Sequence, residues 1–142
     1  MTAKEYLMQY GQAKTRVKNL NDTLNQVRSD AGSIRGVDYS QPKVQHSHSD
    51  TSADTAVKIE ALEAEAVRAV LDAEKLMLEI TLKIIQIESA EYMRILYDRY
   101  ILGRSLNVIA DSMHYSYVHT CRLHGQALQE FANCFSLNTI ED

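Results

Sequence analysis

Two long stretches of this chain contain almost no residue that breaks a helix. The whole sequence has one proline, Pro42, and five glycines. Proline removes a backbone donor and glycine costs conformational entropy, so their scarcity favours helices. Valine and isoleucine recur at helical spacing and do not alternate as they do in strands. The sequence therefore predicts an all-α fold, and a hydrophobic content of 45% is enough for a packed core.

Apolar residues follow heptad spacing in two segments. From about Thr2 to Arg28 they are Tyr6, Tyr10, Ala13, Val17, Leu20, Leu24 and Val27. From about Thr55 to Glu88 they are Ile59, Leu62, Ala66, Ala69, Ala73, Leu76, Ile80 and Ile87. A long helix with one apolar stripe must bury that stripe against a partner. We therefore predict a coiled-coil-like antiparallel helical hairpin over residues 1–88, with a flexible polar linker at about 29–54.

The second long helix carries a further apolar stripe. Its residues are Val67, Val70, Leu71, Leu78, Leu82 and Ile85. Two apolar faces imply two contacts, so this stripe is expected to pack against the C-terminal region or against another copy of the chain. We accordingly expect a homodimer or small homo-oligomer that forms through the N-terminal helices.

Residues 89–135 are predicted to form a separate three-helix module, and residues 136–142 are predicted to form a tail. The first helix is expected at about Ser89 to Ile101. Gly103 then supplies the left-handed residue that commonly ends a helix.

Two serines mark the starts of the remaining helices. Ser105 is placed to cap a short helix ending at about Met113, and Ser116 is placed to cap the last helix, ending at about Phe131. The predicted inward residues are Leu106, Ile109, Ala110 and Met113, followed by Thr120, Leu123, Ala127, Leu128 and Phe131. A very short helix joined by a sharp turn to a second capped helix is typical of a helix-turn-helix, although three-helix bundles of other functions share the pattern.

The run YDRYILGRSLNVIADSMHYSYVHTCRLHGQAL resembles region 4 of bacterial sigma factors. The shared features are Arg99-Tyr100, Gly103, Ser105, Ile109-Ala110, Ser116 and Ala127-Leu128. The resemblance is to the C-terminal module, which is about a third of the chain. With the N-terminal helices, the chain is similar to short sigma-region-4-like proteins of phages and prophages of Gram-positive bacteria, including the RinA and ArpU types. This resemblance implies a transcription regulator that binds double-stranded DNA, with RNA polymerase as a further candidate partner.

The helix-turn-helix pattern also identifies candidate DNA-binding residues. They are Arg104, Ser105, Ser116, Tyr117, Val118, Cys121, Arg122 and Gly125. The first turns of the last helix meet base edges, where Arg122 suits guanine and Val118 suits a thymine methyl group. Arg104, Ser105 and Ser116 are placed at helix starts, where phosphates bind. Gly125 would let the phosphate backbone approach closely.

The charge of the chain limits how strongly one copy can bind DNA. Its net charge is −4, and Arg122 is the one arginine on the last helix. Because phosphate affinity comes from clustered lysine and arginine, we expect weak binding by a single copy.

Other function classes have little support in the sequence. We find no catalytic motif, and His119 and His124 are five residues apart, which is the wrong spacing for one metal-binding face. No stretch approaches the roughly 18 apolar residues that a membrane helix needs. We expect no enzyme activity, no metal or cofactor, no membrane partner and a cytoplasmic location. Two alternatives stay open: a DNA-packaging factor like small terminase subunits, and a helical module that binds only protein.

Overall fold

The computed structural model describes residues 1–33 and 49–137. Over these residues the chain is all-helical, which confirms the predicted fold class. The helices are α1 (Ala3–Ser33), α2 (Ser49–Ile84), α3 (Ala90–Leu96), α4 (Leu106–Met113) and α5 (Tyr117–Phe135), with a π-helical turn at Tyr97–Ile101. The middle of the predicted linker, 34–48, and most of the predicted tail, 138–142, lie outside the described residues.

The first two helices are longer than the sequence predicted. α1 continues to Ser33 rather than ending at Arg28, and α2 begins at Ser49 rather than Thr55. The predicted linker at 29–54 is therefore too wide at both ends. Serine and aspartate weaken a helix only slightly, and neither stretch holds a proline. An amide of Gln26 also donates to a carboxylate oxygen of Asp30 at 2.9 Å, one turn along α1.

A capping box starts α1. The backbone N–H of Glu5 donates to Thr2 Oγ1 at 3.2 Å, and the backbone N–H of Thr2 donates to Glu5 Oε2 at 2.6 Å. The second bond stabilises the carboxylate and so lowers the pKa of Glu5. Two backbone donors that a helix start leaves unsatisfied are thereby paired, which fixes the first turn of α1.

Contacts divide the chain into two compact units. One comprises Met1–Lys14 and Asp72–Asp142, and the other comprises Thr15–Leu71. These units do not follow the boundary predicted at residue 88. The beginning of α1 and the end of α2 belong with the C-terminal helices because their apolar side chains bury one another.

The main core of the first unit joins four helices. Its large, fully buried side chains are Leu7, Ile80, Ile84, Leu96 and Phe131. The Phe131 ring centroid lies 6.0 Å from that of Tyr6 and 4.8 Å from that of Phe135. Tyr6 donates from its hydroxyl to Glu79 at 2.5 Å, so its polar end is satisfied at the edge of the core. This core fixes the position of α5 from its C-terminal half.

In the second unit, α1 and α2 meet along positions that heptad spacing predicted. Leu24, Ala66 and Ala69 are buried there. Ion pairs join Arg16 to Glu65 and Arg28 to Glu63 across the two helices. All four side chains keep substantial exposure, so these pairs add little stability and the buried apolar residues contribute most. No helix in the described ranges is long and apolar enough to span a membrane.

Candidate functional site

A second, smaller core holds α3 and α4 against α5. Ile95 and Ile109 are fully buried, and Leu123 of α5 is buried in the same cluster. The half-buried side chains around them are Tyr92, Leu106, Met113 and Tyr115. Ala110 is also buried, and its small side chain leaves room for two helices to approach closely. One side of α5 is therefore fixed by packing along its N-terminal half.

Both predicted serine caps are present, and a sharp corner separates α4 from α5. Ser105 Oγ accepts from the N–H of Val108 at 3.4 Å, and Ser116 Oγ accepts from the N–H of His119 at 3.2 Å. His114 ends α4 in the left-handed conformation, with φ of 57°. Only His114 to Ser116 separate the two helices.

The first turns of α5 leave one face open. Tyr117 is 52% exposed and Val118 is 68% exposed. Arg122 and Gly125 are exposed too, whereas Cys121 is half-buried. A Cβ placed at Gly125 would meet nothing within 4 Å. The sequence predicted the exposure of this face correctly except at Cys121. Thr120, on the opposite side, is fully buried with its hydroxyl bonded to the Ser116 carbonyl.

A π-helical turn replaces the last part of the predicted first helix of the module. The predicted helix, about Ser89 to Ile101, is instead α3 followed by the turn Tyr97–Ile101. The turn holds Asp98, which is only 6% exposed. A buried carboxylate needs partners, and Asp98 Oδ2 has Arg104 Nη1 at 3.3 Å and Arg94 Nε at 4.0 Å.

Arg104 is consequently less free than the sequence suggested. Its backbone N–H donates to the Asp98 carbonyl at 2.9 Å, directly after the left-handed Gly103 with φ of 69°. The guanidinium pairs with Asp98, yet the Arg104 side chain stays 45% exposed. Ser105 next to it is exposed as well as capping α4. Arg104 can therefore meet an external anion only by sharing its charge with Asp98.

Two positive residues near α5 were missing from the sequence prediction. Arg99, on the π-helical turn, acts electrostatically on Tyr117 and on His124, and Lys4 of α1 also acts on His124. Arg99 donates to the Arg104 carbonyl at 3.0 Å, which fixes its position. The sequence signal for Arg99 was its place in the Arg99-Tyr100 pair. No sequence pattern identified Lys4, because only the tertiary fold brings it close to His124.

Tyr100 and His124 form a hydrogen-bonded pair below this surface. Tyr100 Oη lies 3.0 Å from His124 Nε2. Burial raises the pKa of Tyr100 to about 12, so the hydroxyl keeps its proton. Burial, and then the charges of Arg99 and Lys4, lower the pKa of His124. The tyrosine hydroxyl and a neutral imidazole therefore share one hydrogen bond.

From the Tyr100–His124 pair we predict that mild acid destabilises the fold. The unfolded chain protonates His124 near its ordinary pKa of about 6.5, whereas the folded chain resists protonation. The unfolded state then binds more protons, so stability falls as pH drops below about 6.5. We expect His124→Gln to flatten the pH dependence of the unfolding free energy between about pH 5 and 7. Urea unfolding at several pH values measures this, and an equal slope in both proteins would refute the assignment.

The arrangement can offer apolar contacts, positive charge and hydrogen-bond donors on one face. Tyr117 keeps its proton, since a hydrogen bond to Cys121 raises the pKa of its hydroxyl. Over residues 1–33 and 49–137, no three His, Cys, Asp or Glu side chains are grouped to hold a metal ion. Comparisons with protein-family models, with curated proteins and with solved structures find no match to this chain.

Proposed function

We propose that this protein is a sequence-specific DNA-binding transcription regulator, in which α4 and α5 form a helix-turn-helix like that of sigma-factor region 4. One observation carries the proposal: the first turns of α5 expose Tyr117 and Val118 while the opposite side of the helix is packed. Adjacent apolar side chains exposed on a fixed helix favour a binding surface. The major groove of DNA, about 12 Å wide, admits one α-helix.

The exposed residues suit defined roles on a duplex. Val118 and Arg122 are four residues apart, so they share one face of α5. Arg122 would donate two hydrogen bonds to a guanine edge, and Tyr117 and Val118 would pack on thymine methyl groups. The free N–H groups at the start of α5, beside Ser116, would bind a phosphate. At Gly125 the absence of a side chain would leave space for the backbone of the DNA.

Charges around α5 would strengthen binding to the phosphate backbone. Arg99 and Lys4 add positive charge near the first half of the helix, and Arg104 and Ser105 stand at the start of α4. The net charge of −4 opposes this attraction over longer distances. We therefore expect weak, strongly salt-dependent binding by one copy. The sigma-factor resemblance adds RNA polymerase as a partner and a phage or prophage origin to the proposal.

A DNA-packaging role is the second candidate, and the exposed apolar residues of α2 favour it. Small terminase subunits join a helix-turn-helix to helices that assemble several copies. Leu71 and Leu78 of α2, and Ile85 directly after it, are each more than half exposed, as an assembling surface would be in one isolated copy. The native mass separates the two functions, because a ring of many copies supports packaging and a monomer or dimer supports regulation. Failure to bind any DNA at low salt would instead favour a protein-binding module.

Arg122→Ala tests the proposed function. After selection of a bound sequence from random DNA, the variant should raise the Kd for that sequence about 5- to 100-fold, since one good arginine–guanine pair contributes about 1–3 kcal/mol. Arg28→Ala removes the same charge from an exposed ion pair between α1 and α2 and should leave the Kd within about twofold. Fluorescence anisotropy at fixed salt measures both. Equal effects of the two variants would show that Arg122 does not contact the selected DNA.

A further inference from the structure

A buried carboxylate lies on the π-helical turn before α4, and its two arginine partners are half exposed. Asp98 is 6% exposed, whereas the side chains of Arg94 and Arg104 are 50% and 45% exposed. The arginine side chains therefore contact both the carboxylate and solvent. Short π-helical segments frequently occur at functional sites. The arrangement can thus hold an exposed positive group in a fixed place by means of a buried acid.

The contacts of Asp98 extend to both ends of α4. At the start of that helix, the Arg104 N–H donates to the Asp98 carbonyl at 2.9 Å, and Arg104 Nη1 donates to Asp98 Oδ2 at 3.3 Å. At its end, Arg94 Nη2 donates to the Ser112 carbonyl at 3.2 Å, while Arg94 Nε lies 4.0 Å from Asp98 Oδ2. Because Arg104 directly precedes the cap Ser105, its two bonds to Asp98 hold it at the start of α4.

We propose that Asp98 is a positioning residue for DNA binding, which holds the Arg104 guanidinium in place for a phosphate of the duplex; this role depends on the proposed function. A guanidinium presents five N–H donors in a rigid planar fork, so it can bond a carboxylate with one part and a phosphate with another. Ordering the side chain before DNA arrives removes part of the entropy cost of binding. Phosphate contacts of this kind fix how a protein lies on the duplex.

The charges around Asp98 leave Arg104 able to attract a phosphate. Hydrogen bonds and ion pairs join one carboxylate to three arginines, which are Arg94, Arg99 and Arg104. The other acidic residues of α3 and α4 are Glu91 and Asp111, and in the described part of the chain neither forms an ion pair with these arginines within 4.0 Å. The positive groups of this network therefore outnumber its single carboxylate, and an external anion is attracted to it.

A double-mutant cycle with the full chain tests the role of Asp98. Duplexes that the wild type selects from random DNA are the ligand, and fluorescence anisotropy gives the Kd. Asp98→Asn keeps the shape of the side chain but weakens its hold on Arg104, so the Kd should rise about 2- to 10-fold. In a protein that already carries Arg104→Ala, the same change should alter the Kd less than about twofold, because the positioned group is absent. A purely structural role of Asp98 would give the same loss in both backgrounds.

Further variants separate charge and folding from position. Asp111→Asn removes the same charge from an exposed residue of α4, so its Kd should not rise. Arg104→Lys leaves the buried carboxylate intact but replaces the fork with a point charge. It should raise the Kd severalfold, and it gives a result even if Asp98→Asn does not fold. Arg104→Ala should reduce the slope of log Kd against log salt concentration by about one, as the loss of one phosphate contact does.

The outcomes distinguish the role of Asp98 from the proposed function. Tighter binding by Asp98→Asn would show that the carboxylate competes with DNA for Arg104, and would overturn the proposal. Equal losses in both backgrounds, wild-type affinity of Arg104→Lys, or an unchanged salt slope for Arg104→Ala would also overturn it, while DNA binding by the wild type would stand. If the wild type selects no DNA, the proposed function fails, and the positioning role of Asp98 fails with it.

Discussion

Phe131→Ala is expected to lower the free energy of unfolding by about 3–5 kcal/mol, because it truncates a large and fully buried aromatic side chain. The Phe131 side chain is fully buried, and it contacts the rings of Tyr6 from α1 and Phe135 from α5. Truncation removes the transfer free energy of the ring and leaves a cavity that the surrounding helices cannot fill. Because small domains have only about 5–15 kcal/mol of stability, the variant should be close to unfolded at physiological temperature.

Phe131→Leu keeps this prediction measurable if the alanine variant does not fold. Leucine fills much of the space, so the loss should be clearly smaller than for alanine. Urea unfolding followed by circular dichroism gives both values. Phe135→Ala, at a half-buried neighbour in the same helix, should cost less than Phe131→Ala. If Phe131→Ala lost less than about 1 kcal/mol, Phe131 would not be at the centre of this core.

Val118→Glu is expected to weaken binding to the selected DNA roughly hundredfold, since like charges brought together at an interface cost several kcal/mol. Val118 is 68% exposed on the face that would meet base edges, so the carboxylate would lie against phosphates and would replace an apolar contact. An acidic residue near a helix start interacts favourably with the helix dipole. The fold should therefore be as stable as the wild type, and the lost affinity would come from the interface.

Val57→Glu is the matched control for this variant. Val57 is 65% exposed on α2, and the substitution changes the net charge by the same amount. If long-range repulsion explained the lost affinity, both variants would weaken DNA binding alike. The proposed site predicts that Val57→Glu stays within about threefold of wild type at moderate salt. If the Val118→Glu protein bound the selected DNA normally, the first turns of α5 would not be part of the interface.

Local signals in the sequence were sufficient to predict much of the structure of the C-terminal region. Ser105 and Ser116 each cap a helix through a hydrogen bond to a backbone N–H three residues ahead, so the short-range pattern alone predicts them. Helical spacing likewise predicted Leu123 and Phe131 as buried and Val118 as exposed. These predictions succeed because they depend on one helix and its immediate neighbours.

Features that depend on tertiary contacts could not be predicted from the sequence. The π-helical turn coincides with the burial of Asp98 between Arg94 and Arg104, which no periodic pattern reveals. Leu7 lies off the heptad seam, yet it is fully buried because it joins the core that contains Ile84 and Phe131. The effect of Lys4 on His124 likewise depends on packing between residues distant in sequence. A single heptad seam predicts how a helix packs against one partner. The start of α1 instead packs in a core that also contains residues of α2, α3 and α5.

The most direct test of the proposed role of α5 compares the DNA sequences selected by two proteins. Random duplexes would be selected at low salt with the wild type and with Arg122→Ala, and the bound fragments would be sequenced. If α5 lies in the major groove, the wild type should enrich a defined motif, and the variant should lose its base preference at one position while keeping the others. Two identical motifs, or no enrichment by the wild type, would contradict the proposal that the open face of α5 recognises DNA.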